Sequence, residues 1–238
     1  MTNFVVVIPS RYASVRLPGK PLREINGKTM IQHVHERGRE SSARDVVVAT
    51  DDQRIAEECE SFGATVCMTG DQHRSGSERI AEVCDIMDWS DDTIIVNLQG
   101  DEPTMPASLI DQCASLLDDP SADIATLASP IASAEDFQNP NVVKTVVDDQ
   151  SNALYFSRSP IPHEDFSLAL HHHGIYAYRA GVLRRLVAAP ASKLELAEKL
   201  EQLRALSLGM KIRVAIPDVR PGAGVDTEAD LEAAAKQI

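Results

Sequence analysis

Three cations, Arg11, Arg16 and Lys20, fall within ten residues directly after the most apolar stretch of the chain, with Ser10, Ser14 and Gly19 between them. Guanidinium and ammonium groups spaced by short polar residues suit a polyanionic phosphate. Neither G-x-x-x-x-G-K-[ST] nor G-x-G-x-x-G follows the strand, which excludes a Walker A loop and a dinucleotide fingerprint. The plainer alternative on composition alone is a solvated basic loop. Ser75-Gly76-Ser77 opens an apolar-periodic stretch, where backbone N–H groups and hydroxyls meet a ligand or simply cap a helix. Asp101, in Gln99-Gly100-Asp101-Glu102-Pro103, projects where a strand stops. A carboxylate there, facing a basic loop across a crevice, can bind Mg²⁺ or only brace a turn. Asp226, in Gly224-Val225-Asp226-Thr227, is a second such carboxylate or the cap of the last helix.

These residues can meet only if the fold gathers them. Val5-Val6-Val7-Ile8 is β-branched throughout, which predicts a strand buried on both faces, with Pro9 ending its ladder for want of an N–H. Strands are predicted at 45–50, 64–68 and 93–98, and helices at 29–41, 54–62, 75–87 and 105–117, with Asp51 and Asp52 as helix N-terminal acids. Such alternation gives a parallel sheet with right-handed crossovers, binding ligands at the carboxyl ends of its strands. Past Asp118-Asp119-Pro120 the rhythm breaks. Extended runs at 123–127, 142–147, 153–158 and 173–179 predict a mixed or antiparallel portion. Leu196, Leu200, Leu203 and Leu206 form an inward stripe on a predicted helix from Leu194 to Leu208. A strand at 211–216 and a final helix after Asp226 complete the chain.

The 238 residues suffice for one domain, and 43% hydrophobic with 25% charged residues is ordinary for a soluble protein. With no span-length apolar run and no signal-like N-terminus, a cytoplasmic protein is expected. A net charge of −13 argues against general nucleic-acid binding. Cys59, Cys67, Cys84 and Cys113 form no C-x-x-C pair and read as buried thiols. His163, His171, His172 and His173 suggest zinc, but adjacent side chains on a strand face opposite ways and no further cluster completes a site.

The order of residues is more specific. Ser10-Arg11-Tyr12-Ala13-Ser14-x-Arg16-Leu17-Pro18-Gly19-Lys20-Pro21-Leu22 closely resembles the nucleotide-binding signature of the sugar-acid cytidylyltransferases, the CMP-Kdo synthetases above all. Ser75-Gly76-Ser77-Glu78-Arg79, Gln99-Gly100-Asp101-Glu102-Pro103, Asn139–Val146, His173-Gly174-Ile175-Tyr176-Ala177-Tyr178-Arg179 and Gly224–Thr227 resemble further motifs of that family, so the likeness spans nearly the whole chain. It implies the nucleotide-diphospho-sugar transferase α/β fold: a mostly parallel, Rossmann-like sheet with a smaller mixed β portion. Residues 1–238 would form a single domain, with 1–120 mainly nucleotide-binding and 121–215 mainly for sugar and dimerisation. Residues 216–238 would return with the second metal carboxylate.

The resemblance further implies CTP and 3-deoxy-D-manno-octulosonate (Kdo) as substrates, Mg²⁺, a homodimer, and a place in lipopolysaccharide precursor synthesis. On it, Ser10, Arg11, Ser14, Arg16, Lys20, Ser75, Gly76, Ser77 and Gln99 contact the nucleotide. Gln99, Arg158, His173, Tyr176, Glu201 and Gln202 contact the sugar. Asp101 and Asp226 hold the metal, and Arg16, Lys20 and Asp101 carry the catalysis. The anomeric 2-hydroxyl would attack the α-phosphate while pyrophosphate leaves in line.

Two departures stand out: Ile161-Pro162-His163-Glu164-Asp165 where the family usually has Ile-Pro-aromatic-Asp-Arg, and His172 where Arg is common. A cationic contact to the sugar carboxylate is then missing, supplied by Arg158, or located elsewhere. An 8-amino-Kdo or sialic acid cytidylyltransferase and a non-catalytic nucleotide-binding module are the other readings.

Overall fold

The structure is a computed structural model that describes residues 2–14, 16–222 and 224–238. Val15 and Ala223, which fall within two of the motifs above, lie outside the described residues. β1 (Phe4–Ser10) is buried along its whole length, as its β-branched run requires. After the basic loop and a 3₁₀ turn at Lys20–Leu22, β2 (Glu24–Ile25) and β3 (Lys28–Thr29) form a hairpin. Its turn residues Asn26 and Gly27 both have positive φ, the conformation Asn-Gly favours. There follow α1 (Met30–Glu40), β4 (Asp45–Thr50), α2 (Gln53–Ser61), β5 (Thr65–Met68), α3 (Gly76–Ile86), β6 (Ile94–Asn97) and α4 (Ala107–Ser115). The second half comprises β7 (Ile124–Pro130), α5 (Ala134–Gln138), β8 (Lys144–Val147), β9 (Ala153–Ser157), β10 (Leu170–Arg179), α6 (Ala180–Ala188), α7 (Lys193–Glu198), α8 (Gln202–Ser207), β11 (Ile212–Ala215) and α9 (Glu228–Ala235).

Among the described residues the main sheet runs β11-β7-β10-β6-β1-β4-β5, with β8 and β9 joined at β10. β1 lies parallel to β4 and β6, β4 to β5, and β7 to β11, while β10 runs antiparallel to β6 and β7. The mixed portion is therefore continuous with the parallel sheet. Alternate residues of β1 feed the two faces: Val5 and Val7 pack with Ile80, Leu183 and Leu203, and Phe4, Val6 and Ile8 with Ile31 and Leu109. A smaller cluster of Leu17, Ile25, Met30, Val225 and Leu231 fastens the basic loop to the C-terminal segment. All four cysteines are free and buried, and burial raises each thiol's pKa.

Two expectations need correction. Pro9 does not end the ladder, because β1 continues to Ser10 in register with Thr50 of β4. Val7 accepts from Leu98 N–H on the β6 side, and Pro9, two residues on, turns its backbone the same way. β6 stops opposite Val7, so no partner waits there for the missing donor.

The helix expected from Leu194 to Leu208 is two helices, parted at Lys199, which adopts φ 56. Glu198, at the end of the first helix, is drawn to β9: its carboxylate accepts from Ser157 Oγ (2.7 Å) and Arg158 N (2.8 Å). Beyond the break Leu200 and Leu203 are buried, but Leu196 before it is 66% exposed.

Candidate active site

The basic loop leaves the end of β1, and Gln99-Gly100-Asp101 leaves the end of β6 beside it. Asp226 reaches them from the C-terminal segment because Thr227, not Asp226, caps α9 in a capping box with Asp230. Lys20 Nζ donates to Asp101 Oδ2 at 2.7 Å, Asp226 Oδ1 at 3.0 Å and the Val225 carbonyl at 2.9 Å. Arg16 Nη2 lies 2.9 Å from Asp226 Oδ2. Burial opposes the charge on Lys20, but Asp101 and then Asp226 outweigh it and raise its pKa. The four groups cancel formally, two acids against two bases.

They line a cleft of about 740 Å³ together with Ser10, Arg11, Ser14, Ser75, Gly76 and Gln99. The lining adds three residues to which the sequence had given no role, His73, Arg74 and Arg79. Arg79 is buried and bound to Thr69, Gly70 and Asp51 Oδ1, the last at 3.0 Å. His73 pairs with Glu82. Two bases just ahead of Ser75 were the available sequence signal. Tyr12 is held by the Arg54 guanidinium, 3.4 Å over its ring.

Gly76 and Gln99 also line a second, inner cavity of about 60 Å³, with Ser77, Tyr176, Glu201 and Gln202. Three buried polar atoms in these walls have no partner: Ser10 Oγ, Tyr176 OH and Gln202 Nε2. Orphaned donors of this kind are costly unless a ligand or water completes them. Ser75 and Ser77 do not turn their hydroxyls to the outer cleft, since both donate to Glu201, at 2.8 and 2.7 Å. Of the predicted sugar contacts, Arg158 and His173 line neither cavity. Arg158 donates to the Glu198 and Pro140 carbonyls.

Strand alternation, kept in phase across a two-residue irregularity, puts His172, not His173, on the side of Tyr176, with ring centroids 5.2 Å apart. His173 instead meets Ser129 Oγ at 2.7 Å. Burial and the neighbouring histidines push His172 down to about 3 and His173 to about 4, so both are neutral at pH 7.

The donor set fits Mg²⁺. Two carboxylates converge on one cation, here the Lys20 ammonium, and all their donor atoms are oxygen. Among the described residues no group of three or more His, Cys, Asp and Glu side chains could hold a metal. Mg²⁺ commonly takes only one or two carboxylates and completes its shell with water and substrate phosphate. Glu102, overlooked in the same motif, is pushed up to about 8 by burial and then by the charges of Asp101 and Asp226, against the pull of Lys20. It is therefore largely protonated at pH 7.

A parallel sheet with an inserted antiparallel strand, bearing a basic cleft at its strand ends, defines a nucleotidyltransferase of the nucleotide-diphospho-sugar transferase fold. The chain belongs to the cytidylyltransferase family, whose model, described as "Cytidylyltransferase", matches residues 5–212. Its structure is similar to that of CMP:2-keto-3-deoxy-manno-octonic acid synthetase complexed with CTP, with a TM-score of 0.92 and 44% identity, covering 99% of this chain and 98% of that one. Likeness at the level of fold extends to 4-diphosphocytidyl-2C-methyl-D-erythritol synthase, with a TM-score of 0.68, 16% identity and coverage of 100% and 99%. It extends also to a cytidylyltransferase from Leptospira borgpetersenii serovar Hardjo-bovis (strain JB197), with a TM-score of 0.63, 18% identity and coverage of 99% and 85%.

Proposed function

We propose that this enzyme transfers CMP from CTP to the anomeric 2-hydroxyl of Kdo, releasing pyrophosphate. The observation that carries the reading is the junction of a cationic cleft with an inner pocket of unpaired polar atoms, sharing Gly76 and Gln99 as common walls. Phosphates and a polyhydroxy acceptor would then meet end to end, and full-length likeness to the synthetase bound to CTP supports that pairing.

Both reactants are anionic, so neutralising charge is most of the catalytic problem. Arg11, Arg16 and Lys20 bind the triphosphate, and Arg16 and Lys20 offset the charge that builds on departing pyrophosphate. Ser10 and Ser14 add hydroxyls from the same loop, and the backbone of Ser75 and Gly76 reads the base. Gln99, Tyr176, Glu201 and Gln202 hold the acceptor hydroxyls. Asp101 and Asp226 hold Mg²⁺, which when bound neutralises phosphate charge and lowers the pKa of a nearby hydroxyl. In this reading residues 1–120 serve mainly the nucleotide, 121–215 the sugar and a homodimer contact, and 216–238 return Asp226. Exposed Leu154 and Leu168 in the second half suit such a contact, and four buried free thiols suit the cytoplasm, where lipopolysaccharide precursors would be activated.

The test is pyrophosphate release with CTP, Mg²⁺ and, separately, Kdo, its 8-amino analogue and N-acetylneuraminate. Release with Kdo is expected. Preference for the amino sugar would change the acceptor and keep the chemistry, and silence in all three would overturn the reading.

A further inference from the structure

Glu201 stands between the two cavities, and its bonds reach both. Oε1 accepts from Ser75 Oγ and Oε2 from Ser77 Oγ. Ser75 lines the outer cleft, Ser77 the inner pocket, and Gly76 between them lines both. Ser75 Oγ also accepts from Glu78 N, capping α3, so one carboxylate grips the first turn of the helix against which a nucleotide is seated.

The carboxylate is itself fixed in place. Glu201 begins α8 immediately after the break at Lys199 and Leu200, and Arg204, anchored on Glu195 through two nitrogens, lies 3.8 Å away. An ionised carboxylate offers about four acceptor positions. Two are taken by the serines, and the others can serve hydroxyl donors in the pocket where Tyr176 OH and Gln202 Nε2 also lack partners.

We propose that Glu201, through Ser75 and Ser77, couples the two substrate sites so that nucleotide in the cleft raises affinity for the acceptor in the inner pocket. This rests on the acceptor reading above. A nucleotide against Gly76 orders the first turn of α3, and an acceptor hydroxyl on Glu201 orders the same serine–glutamate bonds from the other side. Whichever ligand arrives first has already met the ordering cost for the second, and the effect is reciprocal. Glu201 is then a positioning residue for the nucleotide as well as a contact for the sugar.

The test measures Kdo affinity by calorimetry in Mg²⁺ buffer, with and without α,β-methylene-CTP, which cannot release pyrophosphate. Wild type should bind Kdo about tenfold more tightly with the analogue present, within the usual range of coupling between sites. Ser77→Thr keeps the hydroxyl and should keep the ratio. Ser77→Ala should lower the ratio at least about threefold, the Ser75 bond to Glu201 alone remaining, with affinity for the analogue alone measured beside it so that any lost nucleotide contact is separated from the coupling. A merely structural bond would lower thermal stability in Ser77→Ala and leave the ratio intact, which overturns the proposal.

Should Ser77→Ala fail to fold, Glu201→Leu carries the same test, because it has no polar atom to bond either hydroxyl and its ratio should fall to one. Pyrophosphate release by wild type is run in parallel. Turnover of Kdo with a ratio of one would sink the coupling alone, whereas absence of both binding and turnover would sink the acceptor reading and the coupling with it.

Discussion

The outer cleft and the inner pocket share two residues and are built by opposite rules. The cleft is made from loops at strand ends, and its Arg16 and Lys20 are already matched with Asp226 and Asp101. A ligand entering it must exchange partners with the protein. The pocket is made from side chains of α3, β6, β10 and α8, and its walls hold polar atoms matched with nothing. A ligand entering it adds bonds that the free protein lacks. Exchange of ion pairs gives charge selectivity at little cost to the fold. Under the proposed function, completion of buried hydrogen bonds would discriminate between acceptors by their hydroxyls, because an analogue lacking one leaves its partner unpaired.

That contrast can be broken most forcefully at Asp101. Asp101→Asn should lower kcat at least about 10³-fold, in line with losing a centre of transition-state charge stabilisation. The melting temperature should stay within a few degrees, since Lys20 keeps Asp226 and the Val225 carbonyl. Pyrophosphate release and a thermal melt decide it, and retained turnover would remove Asp101 from the mechanism.

Tyr176→Phe sharpens the other side. Its hydroxyl has no partner in the free protein, so stability should be unchanged or slightly raised, while KM for the acceptor rises about tenfold, the worth of one good hydrogen bond. A drop in stability without any change in KM would mean that the pocket is structural packing.

The smallest effect is at Glu102, whose folded pKa of about 8 exceeds the ordinary glutamate value of 4.5. The folded state then binds more protons than the unfolded one between those values, so stability falls as pH rises through that window. Glu102→Gln should match wild type below pH 4.5 and exceed it above pH 8, by on the order of 1–2 kcal/mol. Parallel denaturation curves at both pH values would refute the half-buried, acid-crowded environment assigned to this group.

The cleft was legible in the sequence because its residues come in short runs at element ends. Ser10 to Lys20, Ser75-Gly76 and Gln99 to Asp101 are each local, and a parallel sheet puts the ends of β1 and β6 side by side. The pocket was less legible because tertiary bonds decide it. The leucine period continues across residues 194–208, yet Glu198 is claimed by Ser157 and Arg158, and the chain turns at Lys199 to bring Glu201 to α3. His173 and Tyr176 are three apart and so face opposite ways on a strand, which the sequence did show, and it is His172 that lies beside Tyr176. Glu102 went unremarked inside a recognised motif because its neighbour Asp101 explained the motif by itself.

Pro9 gives the cleft its floor in a way the ladder alone does not suggest. A sheet closes like a zip, each bond bringing the next pair of groups within reach, and the zip between β1 and β6 stops at Val7, just short of the position that carries no hook. The chain after Asn97 peels away, and the space it vacates is where Gly76 and Gly100 come closest to the strand. A Cβ on the first would lie 3.1 Å from Pro9 Cγ, and one on the second 3.0 Å from the Pro9 carbonyl oxygen. The site is thus an unfinished seam, at a position where β1 offers no hydrogen to continue it. Replacing Pro9 with alanine would restore the hook and give β6 a reason to close over the space a nucleotide needs.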